Sequence, residues 1–251
     1  MRFTTIILLI LLAGGLKAQF DINDTTLSIP MFHATYSYQF PGGDMADRFG
    51  NNSSIGGGFL YKTNQNWLLG AEFNFLFGDN VKVADQIMGN LKTDEGNIIN
   101  MAGNFTSYFI YERGYYISGR LGGILPFLQA NPNSGITVIG SAGYFQHKIR
   151  IEVADNTAPQ LLDDYKKGYD RLAGGLGMSE FIGYTYLSNS KLINFYLGFE
   201  INQSWSKAKR DVNFDTGEPD PKLNRYDVLY GIKVGWIIPL FKRLPEKYYY
   251  Y

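Results

Sequence analysis

Long stretches of this chain alternate large apolar residues with small or polar ones at a period of two, the signature of β-strands with two different faces. In residues 67–77, Trp67, Leu69, Ala71, Phe73, Phe75 and Phe77 share one face, while Leu68, Gly70, Glu72 and Asn74 share the other. Residues 29–40 repeat the pattern, with Phe32, Ala34, Tyr36, Tyr38 and Phe40 set against Met31, His33, Thr35, Ser37 and Gln39. Residues 193–202 set Ile193, Phe195, Leu197, Phe199 and Ile201 against Asn194, Tyr196, Gly198, Glu200 and Asn202. Near the C-terminus, Ile232, Val234, Trp236, Ile238 and Leu240 alternate with Lys233 and Gly235, which places a lysine inside an otherwise apolar strand.

Between these runs the connections fall into two sizes. Residues 63–67, 131–135 and 188–191 are rich in Asn, Pro, Ser and Gly and read as tight turns. Residues 41–53, 78–105, 154–171 and 211–224 are long and polar. Alternating short and long connections gives eight strands, at about 29–40, 54–63, 67–77, 106–126, 136–153, 172–187, 192–207 and 226–240. The Glu112-Arg113-Gly114 stretch resembles a hairpin turn, and a turn there would make the strand count odd. An even count places both termini at one end of a closed barrel. Tyr108–Pro126 therefore reads as one long strand with a bulge at Gly114. The alternative is a true turn with an extra short strand within 98–105, giving ten strands.

Composition decides what the two faces meet. The chain has 251 residues, with 29 Gly, 19 Tyr and 18 Phe, yet its mean hydropathy is only −0.16. In a soluble sandwich the bulky face packs on a second sheet and the polar face is wet, with little need for glycine. Here the polar face is built of Gly, Ser, Asn and isolated charges, as the cramped interior of a narrow barrel requires, and the aromatic face is left for lipid. Closure also removes the sheet edges that lipid cannot satisfy. The expected fold is all-β: a closed antiparallel transmembrane β-barrel with long outer loops.

The N-terminus supports export. Arg2 precedes an apolar run from Ile6 to Leu12, and Ala18 suits a cleavage site. The run is shorter than the roughly 20 residues a membrane helix needs. The expected organisation is a signal peptide at 1–18, a periplasmic segment at 19–28, the barrel at 29–241 and a periplasmic tail at 242–251. The absence of cysteine excludes disulfides and thiolate metal sites. Zero formal net charge gives no general pull toward nucleic acid.

An eight-stranded barrel is filled by its own side chains. Glu72, Arg120, Lys148, Arg150, Glu152, Glu180, Glu200 and Lys233 are read as an inward network of matched charges that plugs the lumen. A proton or small-ion path is the sharper alternative. Loop 211–224 collects Asp211, Asp215, Glu218 and Asp220, but its spacing is not that of a helix-loop-helix calcium site, so it reads as solvated. Val83, Ile87 and Leu91 fall near helical spacing, and a short helix there would either cap the barrel or dock a partner.

Taken together, the leader, the amphipathic strands and the final strand resemble the small outer-membrane β-barrel proteins of Gram-negative bacteria, the OmpA/OmpX-like eight-stranded class, in a form associated with Bacteroidota. In that class the final strand carries a signal for the barrel assembly machinery. Lys233, Gly235, Ile238 and Leu240 match its spacing, although eleven residues follow Leu240. The resemblance implies outer-membrane localisation, contact with outer-membrane lipid and passage through that machinery. Barrel enzymes of this membrane need a nucleophile or activated water beside a histidine. Only His33 and His147 are present, neither is followed by Ser at the second position, and no Asp-x-His occurs. No catalytic set, cofactor or metal is expected. The function expected is a non-enzymatic structural or accessory subunit of an outer-membrane complex for secretion or protein assembly. Its partners would meet the outer loops or the tail, where Tyr248, Tyr249, Tyr250 and Tyr251 stand as contact residues. A channel or transporter for small or hydrophobic solutes is the alternative; a lipid-modifying enzyme is disfavoured.

Overall fold

In the computed structural model, β1 (Ile29–Gly43), β2 (Asn52–Lys62) and β3 (Trp67–Gly78) form an antiparallel meander. A loop carrying helix α1 (Ala84–Met88) and a small hairpin, β4 (Ile98–Ile99) with β5 (Phe105–Thr106), leads to β6 (Tyr108–Leu125). Then follow β7 (Gly135–Val153), β8 (Ala173–Tyr186), β9 (Phe195–Ala208) and β10 (Asn224–Pro239). The structure describes residues 22–23, 25–154, 157–189, 192–220 and 224–240. The expected leader at 1–18 and the tail at 242–251, with its four tyrosines, lie outside the described residues.

β10 pairs with β1, so eight strands close into a barrel and β4–β5 stands apart as a two-stranded sheet. Pairing traced once around the wall from Met31 passes Leu60, Gly70, Arg120, Ser141, Ser179, Asn202 and Leu229. It returns to β1 at Pro41, a stagger of ten residues. Eight strands with that stagger tilt by about 40° to the axis and leave an interior only side chains can fill.

The eight-strand count agrees with the alternation, but the expected bulge does not form. Pairing of β6 runs without a break through Leu76–Gly114 and Gly114–His147. The Glu-Arg-Gly stretch is neither turn nor bulge, because neighbouring strands pair with it on both sides and hold it extended. The ten-strand alternative fails with it, since β4 and β5 form a separate two-stranded sheet and join no strand of the barrel.

Connections 44–51, 79–107, 154–172 and 209–223 lie at one end; the short turns 63–66, 126–134 and 187–194 lie at the other, with the start of β1 and the end of β10. In the 63–66 turn, Thr63 Oγ1 accepts from the backbone N–H of Gln65 and Trp67, and Asn66 takes φ 64°, a conformation Asn tolerates well.

The outward face is apolar and uncovered: Leu69, Phe199 and Ile182 are each more than half exposed. Aromatics mark both margins of this band. Trp67, Tyr61 and Trp236 lie toward the short turns, and Tyr38, Tyr226 and Trp205 toward the long loops. The Trp236 indole donates to Leu192 O (2.9 Å), its polar edge turned to the interface. This is the architecture of the small outer-membrane barrels, with a lipid band outside and a polar, filled interior.

Candidate functional site

Glu72 occupies the middle of the lumen. Gly58 and Gly70 flank it on the inward face of the neighbouring positions, where no other side chain would fit. Lys233 Nζ donates to Glu72 Oε1 (2.5 Å) and to Glu200 Oε1 (2.7 Å), so the lysine lies between two carboxylates. Arg120 Nη1 donates to Glu72 Oε2, and His33 Nε2 lies 2.8 Å from the same oxygen. Asn74 Nδ2 completes the set on Oε1 at 2.7 Å, and Thr35 Oγ1 donates in turn to Asn74 (3.1 Å). All of these groups are buried. Two cations thus face two carboxylates in a region without bulk water, the condition under which buried charges persist.

Tyr196 locks this layer from below. Its hydroxyl lies 3.5 Å from both Arg120 Nη1 and Glu72 Oε2, and its ring meets Phe181 edge-on at 5.4 Å. The ring lies over Gly235: a Cβ at that position would come within 2.2 Å of it. The glycine of the final strand is therefore a socket for the tyrosine of β9.

A second polar layer closes the lumen toward the long loops. His147 Nε2 lies 3.0 Å from Asp227 Oδ2, which also accepts from Ser206 Oγ. Arg48, from the 44–51 loop, inserts its guanidinium beside them, 3.5 Å from Asp227 Oδ1. Burial lowers the Arg48 pKa to about 10, which leaves it a cation at neutral pH. Glu112 accepts both of its bonds from Asn52 Nδ2.

Apolar seals lie beyond each polar layer. Toward the loops, Met45, Phe49, Ile87, Met88 and Ile98 fold down onto Phe145, Tyr116 and Leu229. The short helix α1 supplies Ile87 and Met88 to this lid. Toward the short turns, Ile22 and Leu27 pack with Ile29, Leu68, Ile124 and Ile237. The segment before β1 is tied across this mouth. Asn133 Nδ2 donates to Ile22 O and Thr25 O (2.8 Å each), and Leu27 N donates to Asn133 Oδ1 (2.8 Å). Lys62 Nζ adds bonds to Leu27 O (3.0 Å) and Asn133 Oδ1 (2.8 Å). Two interior voids beside Tyr116 and Phe145 measure about 10 Å³ each, close to the room one water needs.

Of the eight charges read as lumenal, the structure brings together Glu72, Arg120, Glu200 and Lys233. The other four are corrected. Lys148, Arg150 and Glu152 lie on the outward face of β7, and their neighbours His147, Ile149, Ile151 and Val153 point inward. The reason is length. β7 has 19 residues, far more than the roughly 10 that span a membrane. Above the lipid its outer face meets water, and polar residues turn outward as in a soluble sheet. Glu180 also points outward, because Phe181 takes the lumenal position beside Tyr196. A third carboxylate there would find both cations already matched. Glu180 instead accepts from Gln203 Nε2 (3.1 Å), whose Oε1 accepts from Tyr226 OH (2.7 Å), a polar ladder on the lipid side of the wall.

The sequence reading missed Asp227, Glu112 and Arg48. The first two carry a usable signal, since Asp227 shares the parity of Lys233 and Glu112 that of Arg120. Arg48 carries none, being a loop residue brought in by tertiary structure alone. In loop 209–223, Asp215 takes Arg171 and Asp220 takes Arg225 (2.7 Å), and Asp211 and Glu218 are exposed. Of the assembly-signal residues, Lys233 and Gly235 face the lumen while Ile238 and Leu240 are exposed on the outer face.

No protein-family model matches the chain, and no curated protein matches it in sequence. Among solved structures it is similar to Ail, the attachment invasion locus protein of Yersinia pestis, determined with the heparin analogue sucrose octasulfate. Identity is 10%, with 84% of this chain and 99% of that one covered, at a TM-score of 0.45. Neisserial surface protein A is similar at 11% identity over 82% of this chain and 96% of that one, TM-score 0.38. The chain itself closes eight antiparallel strands into a barrel with an exposed apolar outer face.

Proposed function

We propose that this chain is exported by its leader to the outer membrane and acts there by contact, as a non-enzymatic accessory subunit of an outer-membrane complex. The observation that carries the reading is the sealed lumen. A channel needs a continuous aqueous path, and here two hydrogen-bonded polar layers lie between two apolar seals. A path for ions is disfavoured on the same ground, because Arg120 and Lys233 are held by Glu72 and Glu200, and Arg48 by Asp227. Catalysis has little support either. His33 is bound into the Glu72 cluster, and His147 is fully buried beneath Arg48.

Surfaces suited to contact lie outside. At the tip of the β4–β5 hairpin, Ile99, Met101 and Phe105 are all more than half exposed. An outer loop that presents apolar side chains to water needs a cover. Purification from the native host in mild detergent, followed by mass spectrometry, tests the reading. A stoichiometric partner lost on replacing Ile99, Met101 and Phe105 with Ser supports it. A lone monomer, or steady conductance of the pure protein in planar bilayers, overturns it.

A further inference from the structure

β8 ends at Ala173, opposite His147, so the outer stretch of β7 from Lys148 to Val153 pairs only with β6. The 157–172 segment swings across this open edge, tied by the bond from Ile149 N to Asp170 O (2.7 Å). Between them lies a cleft of about 610 Å³. Its floor includes Phe75, a residue of the lipid-facing band, so the cleft runs upward from the membrane margin.

The walls are strongly basic. Arg113, Lys148, Arg150, Lys166, Lys167 and Arg210 line the cleft against only two carboxylates, Glu152 and Asp170. Asp170 is taken by Arg210 in a two-point contact (2.9 and 2.6 Å), and Glu152 by Arg150 (2.6 Å). Lys167 is shared with Asp164, an exposed residue outside the cleft. Lys148 and Lys166 have no ion pair among the described residues. Arg113 is anchored to Gly78 O and Glu112 O and lies 4.6 Å over the Tyr111 ring, so its guanidinium is held in place without a carboxylate. Three cations, Arg113, Lys148 and Lys166, thus remain without an ion pair among the described residues, converging from β6, β7 and the loop just above the aromatic margin. With its two carboxylates already taken by arginines, such a cleft fits clustered anionic oxygens, and Phe75, Ile149, Ile151 and Leu161 give it an apolar side.

We propose that this cleft is a binding site for the phosphorylated headgroup of an outer-leaflet lipid, whose acyl chains run down the wall beside Phe75. The commitment to a lipid rests on the floor: a soluble polyanion would gain nothing from a cleft that opens onto the lipid band.

The test uses the full barrel in dodecyl maltoside, titrated with a diphosphorylated lipid A and, in parallel, with the same lipid after enzymatic removal of its phosphates. Native mass spectrometry reads retained lipid. The phosphorylated lipid is expected to be retained at least tenfold better than the dephosphorylated one. Lys166→Gln/Lys167→Gln, confined to the loop, and Lys148→Gln/Arg150→Gln, outside the lipid band, each lower retention at least threefold. Heat-modifiable gel mobility shows that both variants keep the barrel. Equal retention with and without phosphates, or unchanged retention in both variants, overturns the proposal. Inositol hexakisphosphate is the third arm. If it competes the lipid off at equal concentration, the cleft belongs to soluble polyanions and the lipid assignment is wrong.

Discussion

Lys233 on the last strand reaches Glu72 on β3 across the lumen, Nζ to Oε1 2.5 Å, with β1 and β2 intervening in the wall. The pair closes the barrel chemically as the β1–β10 ladder closes it by backbone bonds. Glu72 also holds Arg120, so a single carboxylate ties β3, β6 and β10.

Removing that carboxylate leaves two buried cations with too little negative charge. Glu72→Ala is expected to destabilise the barrel by about 3–5 kcal/mol. The quadruple replacement Glu72→Met/Arg120→Met/Glu200→Met/Lys233→Met, which removes both cations and both carboxylates together, should recover most of that loss. Urea unfolding in micelles, followed by tryptophan fluorescence, measures both. A single variant as stable as the quadruple would show that the network contributes nothing.

Gly235 faces the Tyr196 ring at a distance that no side chain tolerates. Gly235→Ala should cost about 1–3 kcal/mol through overpacking, and Tyr196→Leu in the same chain should relieve part of it. The coupling energy from a double-mutant cycle is the readout. Additive effects would mean that the two residues do not share the socket.

Glu180 stands on the outer face of β8 between Met178 and Ile182, both exposed to lipid. A charge in the hydrocarbon band is unfavourable, less so for Glu than for Lys or Arg. Glu180→Leu should stabilise the isolated barrel by about 1 kcal/mol in lipid vesicles. Loss of stability would place Glu180 in the lumen after all.

Asn133 binds the segment before β1 through its side chain. Asn133→Ala should speed amide exchange at Ile22 and Leu27 at least tenfold while the barrel strands keep their protection, since buried bonds of this kind are worth about 1–3 kcal/mol. Planar-bilayer conductance should stay closed, because the Glu72 layer lies above this seal.

The strands were legible because alternation has one physical cause, two environments across one wall. The same rule failed where the environments changed. Lys148, Arg150 and Glu152 follow the lipid-facing parity of β7 into the region above the membrane, where outward means water. Their charge alone suggested the lumen, but position along the strand decides.

The sequence by itself determined the barrel: the period of two, the crowded aromatic face, the glycine-rich inner face and the two sizes of connection leave few other ways to satisfy the backbone in lipid. It also placed Glu72, Arg120, Glu200 and Lys233 on the inner face. Only the tertiary structure decided which charges meet, because the stagger of ten residues sets which inward positions share a level. It alone brought Arg48 into the lumen, laid Ile22 and residues 25–28 across the mouth and turned Glu180 outward. Those outcomes depend on packing and charge balance across strands far apart in sequence, which no local pattern encodes.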